Sequence, residues 1–267
     1  MNEDYLKGLF DMTGKTAVIT GAGSGIGQGI ALALANFGAR TVLLGRREEK
    51  LRSTEKQILD QGGQCLVCPA DVRDKAAVEE ILRRVKETEG SVDIFVANAG
   101  FNVRAELLDT TEEEFVALLA TDYKGTLYGV MEAGKIMKEQ KSGNIVIISS
   151  VNGVSAMGNL AVYSSIKYAL EGVVRALAVS LVPYGVRVNS CAPGVILSEM
   201  NQEICSNPKN REAKLNSIPL RMLGVPADIG NVVACMVSDA FRFMTGTTVL
   251  VDGGELLRPM QRQAKEE

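Results

Sequence analysis

The sequence predicts an α/β fold in which a doubly wound sheet of about seven parallel strands carries helices on both faces. Short apolar runs alternate with longer amphipathic segments from end to end, and those segments are long enough for right-handed crossovers between parallel strands. No linker or low-complexity stretch divides the 267 residues, a length that one hydrophobic core can sustain. We therefore expect a single domain over residues 1–267.

The elements follow from this alternation in chain order. Strands are expected at residues 16–20, 41–44, 65–69, 94–97, 145–149, 186–190 and 248–251. Helices are expected at residues 25–37, 48–61, 75–89, 111–138, 162–182 and 227–238. Residues 197–221 are polar and irregular, which is typical of a substrate lid. The charged tail at residues 255–267 is expected to be disordered or docked on a partner subunit.

Composition and charge exclude several classes of protein. Hydrophobic residues make up 46% and charged residues 23%, which is ordinary for a globular protein. A net charge of −3 gives no electrostatic footprint for nucleic acid. No apolar run approaches the roughly 20 residues of a membrane span, and the acidic N-terminus does not read as a signal peptide. The chain has five cysteines, an odd number. Together with the lack of a signal-peptide pattern, this count favours reduced thiols and a cytoplasmic location.

The chain contains no histidine. This excludes Ser-His-Asp and Cys-His catalysis and removes imidazole metal ligands, so no metal site is expected. Cys65 and Cys68 form a CxxC pair that invites a redox or metal role. The pair lies in a predicted strand, not at a helix N-terminus that would stabilise a thiolate, so inert buried thiols are the favoured interpretation.

Proton transfer must then rely on Tyr, Lys, Asp or Glu. Tyr163 and Lys167 stand four residues apart in a predicted helix, which places them one turn apart on the same face. An unperturbed phenol titrates near 10, and bringing it to about pH 7 takes about 4 kcal/mol. A desolvated ammonium beside the ring supplies much of that energy, which predicts a phenol poised for acid–base chemistry.

A glycine-rich turn between the first strand and first helix predicts a phosphate site. Glycines at 21, 25 and 27 permit a tight turn, and the helix N-terminus favours the charge of a pyrophosphate. The candidate contacts in this turn are Gly21, Ser24, Gly25, Ile26 and Gly27. Glycines also serve simple strand-to-helix turns, so the position in a βαβ unit strengthens the prediction.

The end of the second strand bears on the cofactor. It reads Gly45-Arg46-Arg47, without the carboxylate that accepts ribose hydroxyls in NAD sites. A guanidinium there can pair with a 2′-phosphate, so NADP is favoured over NAD, although a solvated helix start is the alternative. Asp71 and Val72 follow the third strand. Asp71 either accepts from the adenine amino group or caps the next helix.

These pieces together resemble the short-chain dehydrogenase/reductase family over almost the whole chain. Matching residues are Thr20, Gly21, Gly25 and Gly27 for TGxxxGxG, Asn98, Ala99 and Gly100 for NAG, Ser150, Tyr163 and Lys167 for the catalytic serine and YxxxK, then Asn189, Pro193, Gly194 and residues 251–254. The resemblance implies a Rossmann-type fold, hydride transfer with a nicotinamide and a homo-oligomer, most often a tetramer built on the two long central helices.

The resemblance also implies roles. Tyr163 exchanges a proton with the substrate carbonyl or alcohol, Lys167 favours the ionised phenol and holds the nicotinamide ribose, and Ser150 binds the substrate oxygen. Ile196 and Ser198 align with the stretch that binds the carboxamide. One position departs from the family: Asp122 stands where an Asn is usual. An ionised Asp cannot donate a hydrogen bond, so we expect it to pair with Lys167 through water or to tune its charge.

The substrate is less constrained. Expected pocket walls are Phe101, Asn102, Ser150, Val151, Asn152, Met157, Tyr163 and Met200. Asparagines suit hydroxyls and methionines suit an apolar body. Residues 9–15 are similar to the opening of sugar-acid dehydrogenases in the family, so a sugar acid or polyol is favoured. A 3-oxoacyl thioester, a hydroxysteroid and a non-catalytic dinucleotide sensor are the alternatives.

Overall fold

The computed structural model describes residues 3–202 and 206–257. Within them, seven strands form one parallel sheet in the order β3-β2-β1-β4-β5-β6-β7. The strands are β1 (Thr16–Thr20), β2 (Arg40–Gly45), β3 (Gln64–Pro69), β4 (Ile94–Ala97), β5 (Gly143–Ile148), β6 (Val186–Pro193) and β7 (Thr248–Val251). The order reverses between β1 and β4, and a crevice opens there at the carboxyl ends of the strands. The predicted fold class is confirmed.

Helices cover both faces of the sheet. They are α1 (Glu3–Phe10), α2 (Gly25–Asn36), α3 (Glu48–Asp60), α4 (Lys75–Glu89), α5 (Glu112–Leu118), α6 (Thr126–Gln140), α7 (Ala161–Leu181), α8 (Pro208–Ser217) and α9 (Pro226–Val237). Apolar residues of α4, α6 and α7 fill the core on one face, and those of α2, α3 and α9 fill it on the other. Because both faces are covered, β1 and β4 are buried at every position.

The predicted helix over residues 111–138 is not a continuous α-helix. It is divided into α5, a π-helical turn at Leu119–Gly125, and α6. Hydrophobic periodicity does not reveal such a turn, because its extra residue shifts the helical face without breaking the run. Asp122 lies in the middle of this turn and is fully buried. The π-helical turn therefore carries one of the residues that the sequence assigned to the catalytic site.

The segment expected to be an irregular lid contains a helix, α8. Asn207 caps it by accepting from the N–H groups of Lys209 (3.0 Å) and Asn210 (3.3 Å), and Pro208 stands at its first turn. No residue of α8 is buried, so the segment lacks the apolar periodicity on which the prediction depended. Helix α1 was not predicted either, and it too has no buried residue. Most of the predicted tail, residues 258–267, lies outside the described residues.

Two other expectations concern cysteines and membranes. Cys65 and Cys68 are free thiols in β3, and burial raises the pKa of Cys65 to about 11 and that of Cys68 above its usual value. Both are therefore thiols and not thiolates at neutral pH. Among the helices of residues 3–202 and 206–257, none has the length and apolar character needed to cross a bilayer.

Candidate active site

The glycine-rich turn forms a cradle that a side chain would fill. Gly21 has a left-handed φ of 69°, and a Cβ on Gly27 would lie 2.2 Å from the Gly21 carbonyl oxygen. Ser24 precedes α2 without capping it, so the first N–H groups of the helix face the crevice. This backbone fits a pyrophosphate, which needs close approach and unpaired N–H donors.

Asn98 fixes the turn to the neighbouring strand. Its Nδ2 donates to the Thr20 carbonyl at 2.9 Å. The backbone N–H groups of Asn98 and Ala99 donate to the Thr20 hydroxyl at 2.9 and 3.0 Å. Asn98 and Ala99 therefore hold β1 and β4 together at the point where the crevice opens, and Gly100 continues that wall.

The predicted adenosine end of the crevice carries the two arginines that follow β2. Arg46 is exposed, and among the described residues no hydrogen bond or ion pair engages it. Asp71 is already bonded by the Arg73 guanidinium at 2.6 to 3.0 Å, which lowers the pKa of Asp71. The cap of α4 is Asp74, which accepts from Ala77 N at 3.1 Å. The alternative that Asp71 caps this helix is therefore wrong.

Tyr163 and Lys167 lie together on α7, as the spacing predicts. The Lys167 Nζ lies 5.3 Å from the centre of the Tyr163 ring, and both side chains are buried. Lys167 Nζ also donates to the Ile148 carbonyl at 3.2 Å, at the end of β5. Ser150 Oγ accepts from Asn152 N at 3.1 Å, which leaves its own hydrogen available to a ligand.

Asp122 lies within ion-pair distance of Lys167. Its Oδ2 lies 3.6 Å from Lys167 Nζ and makes no hydrogen bond, while Oδ1 accepts from Phe101 N at 3.0 Å. Burial raises the pKa of Asp122, and Lys167 opposes that rise. Burial lowers the pKa of Lys167, but the charges of Tyr163 and Asp122 outweigh it, so the pKa is raised and the ammonium stays charged.

The predicted nicotinamide end follows β6. Gly194 N donates to the Val251 carbonyl at 3.0 Å, which joins this turn to β7. Ile196 pairs with Gly224, and the Ser198 hydroxyl donates to the Ile196 carbonyl at 3.4 Å. A Cβ on Gly25 would lie 3.2 Å from Ser198 Cβ, so this segment rests on the glycine-rich turn.

One cavity of about 800 Å³ unites these parts. Its wall includes every residue that the sequence assigned to the site: Gly21, Ser24, Gly25, Ile26, Gly27, Arg46, Arg47, Asp71, Val72, Asn98, Ala99, Gly100, Asp122, Ser150, Asn152, Met157, Tyr163, Lys167, Pro193, Gly194, Ile196, Ser198 and Met200. The sequence had scattered them over 180 residues. The fold therefore places acid–base groups and a phosphate cradle in one compartment.

Sequence reasoning missed several charged residues of the same wall. Lys50 lies in the first turn of α3, and Glu199 follows Ser198. Lys214 on α8 pairs with Glu255 beyond β7, and both side chains are nearly buried at 15% and 12% exposure. The second oxygen of Glu255 has no hydrogen-bond partner among the described residues. No local motif marks these residues, because each meets its partner only through the fold.

Comparison with known proteins identifies the family. The family model described as enoyl-(acyl carrier protein) reductase matches residues 21–255, which is most of the chain. The chain belongs to the short-chain dehydrogenase/reductase family. The resemblance drawn from the sequence motifs is thus confirmed, and the protein is a short-chain NAD(P)-dependent dehydrogenase/reductase acting on CH–OH groups.

Three proteins illustrate the activities found among the relatives of this short-chain dehydrogenase/reductase. The oxidoreductase UcpA of Salmonella typhimurium is 38% identical over 254 residues, covering 92% of this chain and 96% of the relative. The 3-oxoacyl-[acyl-carrier-protein] reductase FabG of Rickettsia conorii is 34% identical over 249 residues, covering 93% and 100%. A gluconate 5-dehydrogenase from Burkholderia cenocepacia, solved with NADP and tartrate, is 28% identical with a TM-score of 0.88, covering 94% and 98%.

Proposed function

We propose that this protein is an NADP(H)-dependent oxidoreductase of a hydroxylated small molecule, of the sugar-acid or polyol class, with Tyr163 as general acid and base. The observation that carries the proposal is the ammonium of Lys167 beside the Tyr163 ring in the same cavity as the glycine cradle. Both side chains are buried, and an ammonium 5.3 Å from the ring centre is placed to balance negative charge on the phenol oxygen as its proton is transferred.

The chain's own groups supply proton transfer and positioning. Tyr163 gives a proton to the substrate oxygen in reduction and takes it back in oxidation, and Ser150 donates a hydrogen bond to that oxygen. Lys167 remains charged through its contact with Asp122. A bound nicotinamide dinucleotide would supply the hydride acceptor or donor. The turn at residues 21–27 would hold its pyrophosphate, and residues 193–198 would hold its nicotinamide end.

The preference for NADP rests on charge. Arg46, Arg47 and Lys50 line the adenosine end of the cavity, and no carboxylate stands at the end of β2 to receive ribose hydroxyls. A 2′-phosphate gains from this cation cluster, whereas an unmodified ribose does not. The gluconate 5-dehydrogenase of similar fold was solved with NADP, which supports the proposal.

The substrate class rests on the polar wall opposite the cofactor side. Asn152, Asn210, Lys214 and Glu255 line this part of the cavity, beside the apolar Met157 and Met200. Lys214 retains hydrogens to donate and Glu255 retains an acceptor oxygen, a combination that suits substrate hydroxyls. A 3-oxoacyl thioester is the second candidate, because the FabG relative acts on that class.

We also propose a homo-oligomer, a tetramer, in the cytoplasm. Apolar side chains are exposed on the helices expected to pair: Phe115 and Val116 on α5, Met131 on α6, and Val179 on α7 at 76% exposure. The described cysteines are free thiols, which fits a reducing compartment. Light scattering on the purified protein tests the mass. A monomer at micromolar concentration would contradict the proposed assembly.

The test of function is a screen of NADPH and NADH oxidation, and of NADP⁺ and NAD⁺ reduction, against sugar acids, polyols, acyl thioesters and steroid ketones. Tyr163→Phe should lower kcat on the best substrate by about 10²- to 10⁴-fold, the usual weight of general acid–base catalysis. Tyr168→Phe is the matched control: Tyr168 is on the same helix but half exposed, bonded to Val154, and outside the cavity wall. Equal activity of the two variants would refute the assignment of Tyr163, and no turnover by the wild-type protein with any substrate of the screen would favour the sensor alternative.

A further inference from the structure

Glu199 forms ion pairs with two cations, Arg47 and Lys50, at the mouth of the crevice. Its Oε2 accepts from both terminal nitrogens of Arg47 at 3.1 Å, and its Oε1 accepts from Lys50 Nζ at 2.9 Å. Arg47 donates in addition to the Ser24 hydroxyl at 3.0 Å. One carboxylate thus joins the glycine-rich turn, the start of α3 and the segment after β6.

The ion pairs of Glu199 with Arg47 and Lys50 lie beside the glycine-rich turn that is expected to hold the phosphates. Ser198, the neighbour of Glu199, lies against Gly25, and a Cβ on Gly23 would lie 2.9 Å from Lys50 Cβ. Glu199, Arg47 and Lys50 all belong to the cavity wall. Two of the three cations expected to meet a cofactor phosphate, Arg47 and Lys50, are therefore already paired with a carboxylate of the protein.

A ligand can replace Glu199 as the partner of Arg47 and Lys50. The side chains of Glu199, Arg47 and Lys50 are 52%, 52% and 43% exposed, so water can replace each partner at little cost. The Lys50 ammonium, together with Arg47, holds the pKa of Glu199 below its usual range, so the carboxylate is charged at neutral pH. A phosphate dianion is a stronger acceptor for a guanidinium than one carboxylate.

We propose that Glu199 is a cofactor-specificity residue that competes with the 2′-phosphate of the dinucleotide for Arg47 and Lys50. The inference rests on the proposed use of NADP(H). A dinucleotide with a 2′-phosphate must displace Glu199 from these cations, whereas one without that phosphate makes no such demand. Glu199 therefore weakens the binding of NADPH more than that of NADH and narrows the preference that the arginines create.

The direct test is equilibrium binding of NADPH and NADH, followed by cofactor fluorescence, with Glu199→Gln. Exposed ion pairs are weak, so releasing two of them should tighten NADPH about two- to thirtyfold. NADH should change by less than about twofold. The variant should also bind 2′,5′-ADP more tightly and 5′-AMP with unchanged affinity. This result would assign the effect to the 2′-phosphate and not to the 5′-phosphate. Raising the salt concentration should shrink the gain.

Two further variants keep the inference falsifiable. Glu49→Gln makes the same charge change on α3, outside the cavity wall, and should leave both affinities unchanged. In an Arg47→Gln, Lys50→Gln background, Glu199→Gln should no longer tighten NADPH, since the competed cations are gone. Unchanged or weaker NADPH binding in Glu199→Gln would overturn the inference alone. Failure of the wild-type protein to bind either dinucleotide would overturn the proposed function and this inference with it.

Discussion

Replacing Asp122 by Asn should move the whole pH–rate profile of alcohol oxidation to lower pH. The variant is nearly isosteric and keeps the acceptor that Phe101 N needs, so it removes the charge and little else. In the proposed mechanism, oxidation requires a negative charge on the Tyr163 oxygen and a positive charge on Lys167. By Coulomb's law a negative charge on Asp122 repels the first, and it favours the charged Lys167 ammonium. Without it, both limbs of the profile should appear at lower pH.

The distances in the site set a minimum size for this shift. Asp122 Oδ2 lies 3.6 Å from Lys167 Nζ, and that nitrogen lies 5.3 Å from the Tyr163 ring centre, so the carboxylate is within about 9 Å of the ring centre. The phenolate oxygen is then no farther than about 12 Å, where two charges at an effective dielectric of about 20 repel by about 1.4 kcal/mol. That energy displaces the acid limb by about one pH unit. A shorter distance would displace it further.

The assay is kcat/KM for the best alcohol substrate with saturating cofactor, measured from neutral to strongly alkaline pH. Burial raises the pKa of Asp122 and Lys167 opposes that rise, so the assay extends to strongly alkaline pH, where ionisation of this carboxyl is most favoured. Glu139→Gln, an exposed carboxylate on α6, makes the same formal charge change as a control. A profile for Asp122→Asn that superimposes on the wild type would refute the reasoning, because it would mean that this carboxyl carries no charge or does not act on the pair.

Two other predictions concern the substrate wall and the core. Replacing Lys214 by Met and Glu255 by Gln together removes the polar pair without leaving one charge unpaired. KM for a hydroxylated substrate should rise about tenfold or more, since a hydrogen bond to a charged group contributes about 1.5–3 kcal/mol, and an unchanged KM would exclude the pair from substrate binding. Gly129→Ala places a Cβ 2.4 Å from the Phe95 ring. It should lower the free energy of unfolding in urea by about 1–3 kcal/mol, whereas Gly172→Ala on α7, where no atom lies within 4 Å, should not destabilise.

The fold could be predicted because strands and crossover helices carry strong periodic signals. β1, β4 and β7 begin and end where the sequence predicted them. β6 extends three residues further than predicted, to Pro193, because its last residues pair with β7 through Pro193 and Val251. Pairing of this kind depends on a strand 55 residues away along the chain and leaves no local mark. Errors at strand ends therefore come from tertiary contacts, not from misjudged propensity.

The site could be predicted where one motif carries both position and chemistry. Tyr163 and Lys167 share a helical face, and the glycine-rich turn joins a strand to a helix, so local spacing is enough to place them. The direct contact between Asp122 and Lys167 depends on the π-helical turn, which periodicity does not report. Glu199 meets Arg47 across 152 positions of sequence, and such a contact is set only by the folded chain.

The pairing of Asp122 with Lys167 and that of Glu199 with Arg47 and Lys50 each place a carboxylate beside a cation of the cavity, with different physical consequences. Asp122 and Lys167 are 0% and 6% exposed, so salt screens their interaction little and the effect on the pH profile should persist at high ionic strength. Glu199, Arg47 and Lys50 are about half exposed, so their competition with a phosphate should fade as salt is added. We therefore propose that carboxylates at two depths, one buried and one exposed, tune acid–base chemistry and cofactor preference. Salt concentration separates the two effects within one protein.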